Sequence, residues 1–152
     1  REKLLYILSD CTRIAEKKGI PFGNIIDPLG KAVERCYSLF KFTKEKGKEE
    51  DYINAFLKAV WSEGQHGYLT KTINNVVEKI GLNWEEAKKE LDNNDWREEI
   101  EGNRLALYEV GKWGPPTMIL KNQDKKVILS VWGQDRIWLI EEVLYLMQER
   151  NK

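Results

Sequence analysis

The chain has 152 residues, of which 41% are hydrophobic and 33% charged, and it contains six Trp. This composition indicates a folded protein with one core or two small packed lobes, and it argues against disorder. Because 25 basic and 25 acidic residues balance, no net charge attracts nucleic acid or anionic lipid. Apolar runs such as residues 127–129 are far shorter than the ~20 residues of a membrane span. We therefore expect no nucleic-acid or membrane partner, and no secretory leader.

The first predicted element is an amphipathic helix that ends at a Gly-Ile-Pro sequence, residues 19–21. Spacings of four, three and four define its predicted inward stripe, which consists of Leu4, Leu8, Cys11 and Ala15. Because the chain begins inside this helical pattern, we expect further polypeptide to precede Arg1.

Five further helical patterns follow a turn-rich loop at residues 19–30. Three of them cover about residues 31–46, 49–62 and 69–80, and two more begin after the capping residues Asn83 and Asp95. The predicted inward set of the 49–62 helix is Ile53, Phe56, Leu57, Val60 and Trp61. The helical pattern as a whole ends at Gly111.

Short β-prone runs then replace the helical periodicity. Residues 117–121 and 126–131 flank an Asn-Gln-Asp sequence, which predicts a β-hairpin. A final helix is predicted from about Asp135, and its inward face consists of Ile140, Val143, Leu144 and Met147. The predicted order is six helices followed by two strands and a helix.

The two cysteines indicate a reducing compartment. Cys11 and Cys36 both fall in helical patterns, and they form neither a C-x-x-C pair nor a metal-ligand spacing with His66, the single histidine. We therefore predict two buried free thiols, no metal site and a cytoplasmic location. His66 lies in a glycine-flanked loop and is predicted to be exposed and non-catalytic. Four tryptophans are predicted to pack structurally, namely Trp61, Trp84, Trp96 and Trp138.

Two segments beside the hairpin carry the candidate chemistry. Pro115 and Pro116 lead directly into a strand, where a cis X-Pro bond in a tight turn is one solution. At residues 131–136, free amides at a helix start favour an anion, and Asp135 beside them can hold an ammonium group. An amino-acid head group would therefore suit this place. In the alternative interpretation, Asp135 only caps the helix.

These segments resemble the motifs of a known family. Residues 113–117, Trp-Gly-Pro-Pro-Thr, and 132–136, Trp-Gly-Gln-Asp-Arg, resemble the GVPT and WGQDR motifs of one branch of the DsbA-like thioredoxin family. That branch contains the 2-hydroxychromene-2-carboxylate isomerases and the kappa-class glutathione transferases. Residues 13–21, 55–64 and 80–82 resemble the family's helical insertion.

The resemblance implies an α/β, mostly helical, partial thioredoxin-like fold. A helical insertion domain would occupy residues 1–111, and residues 112–152 would form the C-terminal hairpin and helix. The family's N-terminal β-α-β part, which carries its Ser or Cys nucleophile, would precede residue 1. No residue of this chain is therefore assigned a catalytic role.

The resemblance also implies a glutathione site. The family's cis proline corresponds to Pro116, and the preceding residue, which pairs with the ligand backbone, corresponds to Pro115. Pro115 has no N–H, which predicts at most about a tenfold loss in affinity. Gln134 and Asp135 correspond to contacts of the γ-glutamyl group. Arg136 either joins this site or anchors the last helix to the helical lobe.

From their positions beside the two motifs, Trp113 and Trp132 are predicted to wall a pocket for an aromatic substrate. The implied function is a glutathione-dependent isomerase or transferase, in which the glutathione thiolate attacks a small electrophile. The family's habit implies a homodimer. The alternatives are a DsbA-like thiol–disulfide oxidoreductase with an upstream C-x-x-C, and a non-catalytic helical interaction module.

Overall fold

The computed structural model of the chain describes residues 2–150. These residues separate into two compact units, one that ends at Trp96 and one that begins at Arg97. The helices of the first unit are α1 (Glu2–Lys18), α2 (Lys31–Ser38), α3 (Phe40–Glu45), α4 (Glu49–Trp61), α5 (Thr70–Lys79) and α6 (Trp84–Glu90). Helix α7 (Trp96–Glu109) begins at the last residue of this unit. The predicted domain boundary after residue 111 stays a prediction.

Most predicted helices are present, but the pattern at residues 31–46 forms two helices instead of one. The chain turns more tightly at Leu39, whose N–H donates to the carbonyl of Cys36 three residues earlier at 3.3 Å. The Leu39 side chain is completely buried at this break. The predicted start of α6 is confirmed, because the side chain of Asn83 accepts from the Glu86 N–H at 3.1 Å.

Helices α2 to α6 enclose the main hydrophobic core of the first unit, which we call the helical core. Its fully buried side chains include Leu39, Tyr52, Val60, Ile73 and Val77. The missing side chain of Gly67 allows a close approach, since a Cβ there would lie 2.9 Å from Phe56 Cζ and 3.1 Å from Val60 Cγ1.

A buried cation joins three parts of the helical core. Arg35 of α2 donates through Nε to Asp92 Oδ1 at 2.8 Å, through Nη1 to the Tyr68 carbonyl at 2.5 Å and through Nη2 to Thr70 Oγ1 at 3.1 Å. Burial of a charge is tolerated when its hydrogen bonds are satisfied in this way. Arg35 therefore links α2 to the start of α5 and to Asp92, which lies just after α6.

Three predicted inward positions of the first unit are wrong. Leu57 is exposed because the buried stripe of α4 is centred on Phe56, and the next residue lies 100° further round the helix. Leu4 and Cys11 are exposed, and Ala15 is the one buried residue of α1. The other described residues therefore leave most of the predicted inward face of α1 uncovered. Cys36 is buried as predicted.

The second unit contains a two-stranded antiparallel sheet and two helical elements after it. The strands are β1 (Thr117–Lys121) and β2 (Val127–Trp132), and a 3₁₀ turn (Gln134–Arg136) leads into α8 (Ile137–Arg150). Asn122 closes the hairpin turn, because its N–H donates to the Lys126 carbonyl at 3.0 Å and its side chain accepts from the Lys126 N–H at 2.8 Å. Helix α8 packs against β1.

Two predicted buried positions of α8 are wrong. Trp138 is 58% exposed and Leu144 is also exposed, so neither belongs to a buried face. The 3₁₀ turn delays the start of α8 until Ile137, two residues later than predicted from Asp135. Along residues 2–150, none of the helices has both the length and the apolar character needed to cross a bilayer.

Candidate functional site

The two candidate segments meet at one end of the hairpin. The Gly133 N–H donates to the Pro116 carbonyl at 3.0 Å, and Thr117 pairs with Trp132 in the sheet register. The end of β2 therefore fixes the proline turn directly beside the start of the 3₁₀ turn. The two segments therefore form one continuous surface at this end of the hairpin.

The proline turn is closed by its own backbone and side chains. The peptide bond between Pro115 and Pro116 is cis, and both prolines are exposed. Thr117 Oγ1 donates to the Gly114 carbonyl at 2.6 Å, which closes the turn across the two prolines. Neither proline has an N–H, so the turn offers carbonyl acceptors and ring surface to a ligand.

The tryptophans that flank the segments pack against each other. The ring centroids of Trp113 and Trp132 lie 5.4 Å apart with an interplanar angle of 41°. Gly114 lies beside this pair, and a Cβ there would make an ordinary van der Waals contact, at 3.5 Å, with Trp132 Nε1. Trp113 is 67% exposed and Trp132 is 47% exposed. The pair therefore forms an open aromatic surface, and its predicted role in binding a substrate stays a prediction.

The turn after β2 presents Asp135 in a defined position. Gly133 has a φ of 102° and occupies the N-cap of the 3₁₀ turn, and its carbonyl accepts from the Arg136 N–H at 3.1 Å. Asp135 lies inside this turn, so the alternative that Asp135 is the helix cap is wrong. Its Oδ2 pairs with Arg136 Nη1 at 2.6 Å, and both side chains are about half exposed or more. Gln134 is exposed beside them.

Gly133 is a site residue that the sequence interpretation missed. A glycine between a strand and a helix start is the signal that could have identified it, because a positive φ is readily adopted only without a Cβ. The predicted ligand contacts of Pro115, Pro116, Gln134 and Asp135 stay predictions.

Other candidates for chemistry lie in the first unit. His66 is exposed, as predicted, and its ring lies 5.4 Å from that of Tyr68. Burial raises the pKa of the Cys36 thiol to about 12, despite a hydrogen bond with Tyr52. This thiol is therefore protonated and unreactive at neutral pH. Among residues 2–150, no cluster of three or more His, Cys, Asp or Glu side chains could hold a metal ion.

Comparison with known proteins decides the family. The sequence matches the family model of the DSBA-like thioredoxin domain over residues 1–145. This chain belongs to the DsbA-like thioredoxin family. Among solved structures, this DsbA-like chain is similar to 2-hydroxychromene-2-carboxylate isomerase, with 26% sequence identity and a TM-score of 0.76. The similarity covers 98% of this chain and 69% of that one.

Both the family and the isomerase branch were predicted, and both predictions are confirmed. The described residues, which are mostly helical with one antiparallel hairpin, have the partial thioredoxin-like fold that the resemblance implied. The matched residues of this DsbA-like chain include the proline turn and the turn after β2. A comparison with curated protein sequences finds no match.

Proposed function

We propose that this chain works in a glutathione-dependent isomerase or transferase of the 2-hydroxychromene-2-carboxylate isomerase and kappa type. The observation that supports the proposal most is the hydrogen bond from Gly133 to Pro116. This bond joins the proline turn and the acidic turn into one surface, as a ligand with a peptide backbone and an amino-acid head requires.

In the proposed complex, each part of glutathione has its own partner. The cysteinyl part meets the backbone of the proline turn, where Pro115 supplies a carbonyl acceptor and no donor. The γ-glutamyl ammonium group meets the carboxylate of Asp135, with Gln134 beside it. An acceptor with a negative charge forms stronger hydrogen bonds to an ammonium group than a neutral one does.

The proposed chemistry requires a glutathione thiolate. A hydroxyl or thiol near a helix N-terminus lowers the pKa of the glutathione thiol, which loses its proton to solvent. The thiolate sulfur then forms a bond to an electrophilic carbon of the substrate, and that carbon gives up the electron pair of a π bond or a leaving group. None of residues 2–150 is assigned to this activating role. The residues of the two segments bind and orient the tripeptide, and the Trp113 and Trp132 rings offer apolar surface to the electrophile.

Calorimetric titration of the full chain with glutathione tests the proposal. We expect measurable binding, and we expect Asp135→Asn to weaken it about tenfold because a charged hydrogen bond is lost. Asp124→Asn is the matched control, since Asp124 is an exposed acid in the hairpin turn of the same unit. The absence of both heat and thermal stabilisation by glutathione would remove the proposal and favour a non-catalytic interaction module.

A DsbA-like thiol–disulfide oxidoreductase is the second candidate, and the match to the DSBA-like thioredoxin domain supports it. Cys11 and Cys36 do not form a C-x-x-C pair, so this function needs a redox pair from other polypeptide. Reduction of a disulfide-bonded test protein in the absence of glutathione would favour it over the first proposal.

We further propose a homodimer with a cytoplasmic location and a small-molecule substrate. Light scattering on the purified chain tests the first of these. We expect a mass of twice the 17.9 kDa of one chain, and a single-chain mass at micromolar concentration would contradict the dimer.

A further inference from the structure

We propose that Gly133 and Arg136 are positioning residues that hold the Asp135 carboxylate ready for the ligand's ammonium group. The inference rests on the proposed function and adds to it two residues with a specific task. Neither residue needs to touch the ligand. Both act through the orientation of one carboxylate.

Arg136 fixes one oxygen of that carboxylate. Its Nη1 lies 2.6 Å from Asp135 Oδ2 and 3.4 Å from the Asp135 carbonyl oxygen. The guanidinium therefore contacts both the side chain and the main chain of Asp135. A planar guanidinium pre-organises such contacts with little further loss of side-chain freedom.

Gly133 leaves space for the other oxygen. A Cβ at this position would collide with Asp135 Oδ1. The φ of 102° already disfavours any residue with a Cβ at this position. The Gly133 N–H also donates to the Pro116 carbonyl. The Asp135 carboxylate therefore lies against the same residue that is hydrogen-bonded to the proline turn.

The two contacts leave Asp135 Oδ1 to accept an external donor. Oδ2 already pairs with Arg136, whereas Oδ1 lies next to Gly133, whose N–H donates to the Pro116 carbonyl of the proline turn. A ligand ammonium at Oδ1 would thus lie beside the turn proposed to bind the ligand's peptide backbone. Recognition should therefore depend on the ligand's amino group, and loss of the Arg136 guanidinium should affect the binding of that group alone.

The test compares two tripeptides on the full chain by calorimetric titration. One is glutathione, and the other is glutaryl-cysteinyl-glycine, which keeps every carboxylate but lacks the amino group. We expect Arg136→Gln to weaken glutathione binding about fivefold and to leave the affinity for the amino-free tripeptide unchanged. Gly133→Ala should weaken the binding of both tripeptides, because the Gly133 N–H also holds the proline turn. Gly102→Ala is the control, because a Cβ at Gly102 in α7 meets no atom within 4 Å.

The outcomes separate this inference from the proposed function. If the unsubstituted chain binds neither tripeptide, the proposed function fails. If it binds glutathione but Arg136→Gln weakens both tripeptides equally, Arg136 contacts the ligand carboxylate and the positioning role is overturned. Unchanged glutathione affinity in Arg136→Gln overturns it as well. Arg136→Gln alone decides the matter should Gly133→Ala fail to fold.

Discussion

The helical core buries its apolar side chains, whereas the second unit leaves many of its apolar side chains exposed. In the helical core, Leu39, Tyr52 and Val60 are fully enclosed, and the charged Arg35 has three hydrogen-bond partners. In the described part of the second unit, Val131 is the one buried hydrophobic residue, and several tryptophans and leucines are exposed. Side-chain burial therefore defines the geometry of the first region.

Backbone geometry defines the candidate site of the second region. Its fixed points are the cis bond between Pro115 and Pro116, the bond from Gly133 to Pro116 and the antiparallel register of β1 and β2. A site can thus be defined by its backbone contacts while its side chains stay exposed. Substitutions in the helical core should therefore change stability, whereas substitutions at the site should change binding.

The largest expected difference concerns the two thiols. Burial raises the pKa of Cys36 from 9.0 to about 12, which lowers its thiolate population about a thousandfold relative to an ordinary thiol. Cys11 is exposed on α1. With an aromatic disulfide reagent at pH 8, we expect one thiol to react at once and the second to react only as the chain unfolds. Cys11→Ser should abolish the fast phase, and two equal fast phases would show that the helical core is open.

Truncation of a core side chain should have the next largest effect. Leu39→Ala removes a fully buried side chain at the break between α2 and α3, and we expect the free energy of unfolding to fall by about 2–5 kcal/mol. Leu29→Ala is the matched control, because Leu29 is 78% exposed, and it should change stability by less than about 0.5 kcal/mol. Urea denaturation measures both. Equal effects would contradict the described burial.

A smaller loss of stability is expected where the helical core has no room. Gly67→Ala places a methyl group 2.9 Å from Phe56 Cζ and 3.1 Å from Ala32 Cβ, which should cost about 1–3 kcal/mol. Gly102→Ala lies in α7 with open space around the new methyl group, and it should be neutral or stabilising by up to about 1 kcal/mol. Thermal unfolding of the two variants provides the measurement, and a neutral Gly67→Ala would mean that the loop shifts freely.

The smallest expected effect belongs to the open aromatic surface. Trp132→Ala should weaken binding of S-benzylglutathione about two- to tenfold, because one of two contacting rings is lost. Binding of S-methylglutathione should not change. Trp138→Ala is the control, since Trp138 is an exposed tryptophan of the same unit outside the two segments. Equal losses for both ligands in Trp132→Ala would exclude a specific aromatic contact.

The sequence predicted the periodic elements well because periodicity and caps are local signals. The hairpin strands and the start of α6 at its Asn83 cap were both predicted. Exposure was harder to predict. Leu57 and Trp138 are apolar, but which side of a helix is covered depends on packing partners that are distant in sequence.

The sequence predicted which residues belong to the candidate site, but it did not predict the contacts between them. Pro116, Asp135 and Trp132 carry recognisable motifs, whereas the role of Gly133 follows from a hydrogen bond and a backbone angle that one sequence does not reveal. The pairing of Arg136 with Asp135 also depends on the direction of the Arg136 side chain, which the residue type does not determine.

The length of the hairpin turn controls the site from the far end of the sheet. The turn between Lys121 and Val127 and a register irregularity between Leu120 and Lys121 together set the alignment in which Thr117 pairs with Trp132. Successive side chains on a strand point to opposite faces, so a one-residue deletion in that turn would reverse the face of Trp132 and separate it from Trp113. The same deletion would move the Gly133 N–H away from the Pro116 carbonyl. Residues some 15 Å from the proline turn, at about 3.4 Å per strand residue, therefore determine whether that turn meets Asp135 at all.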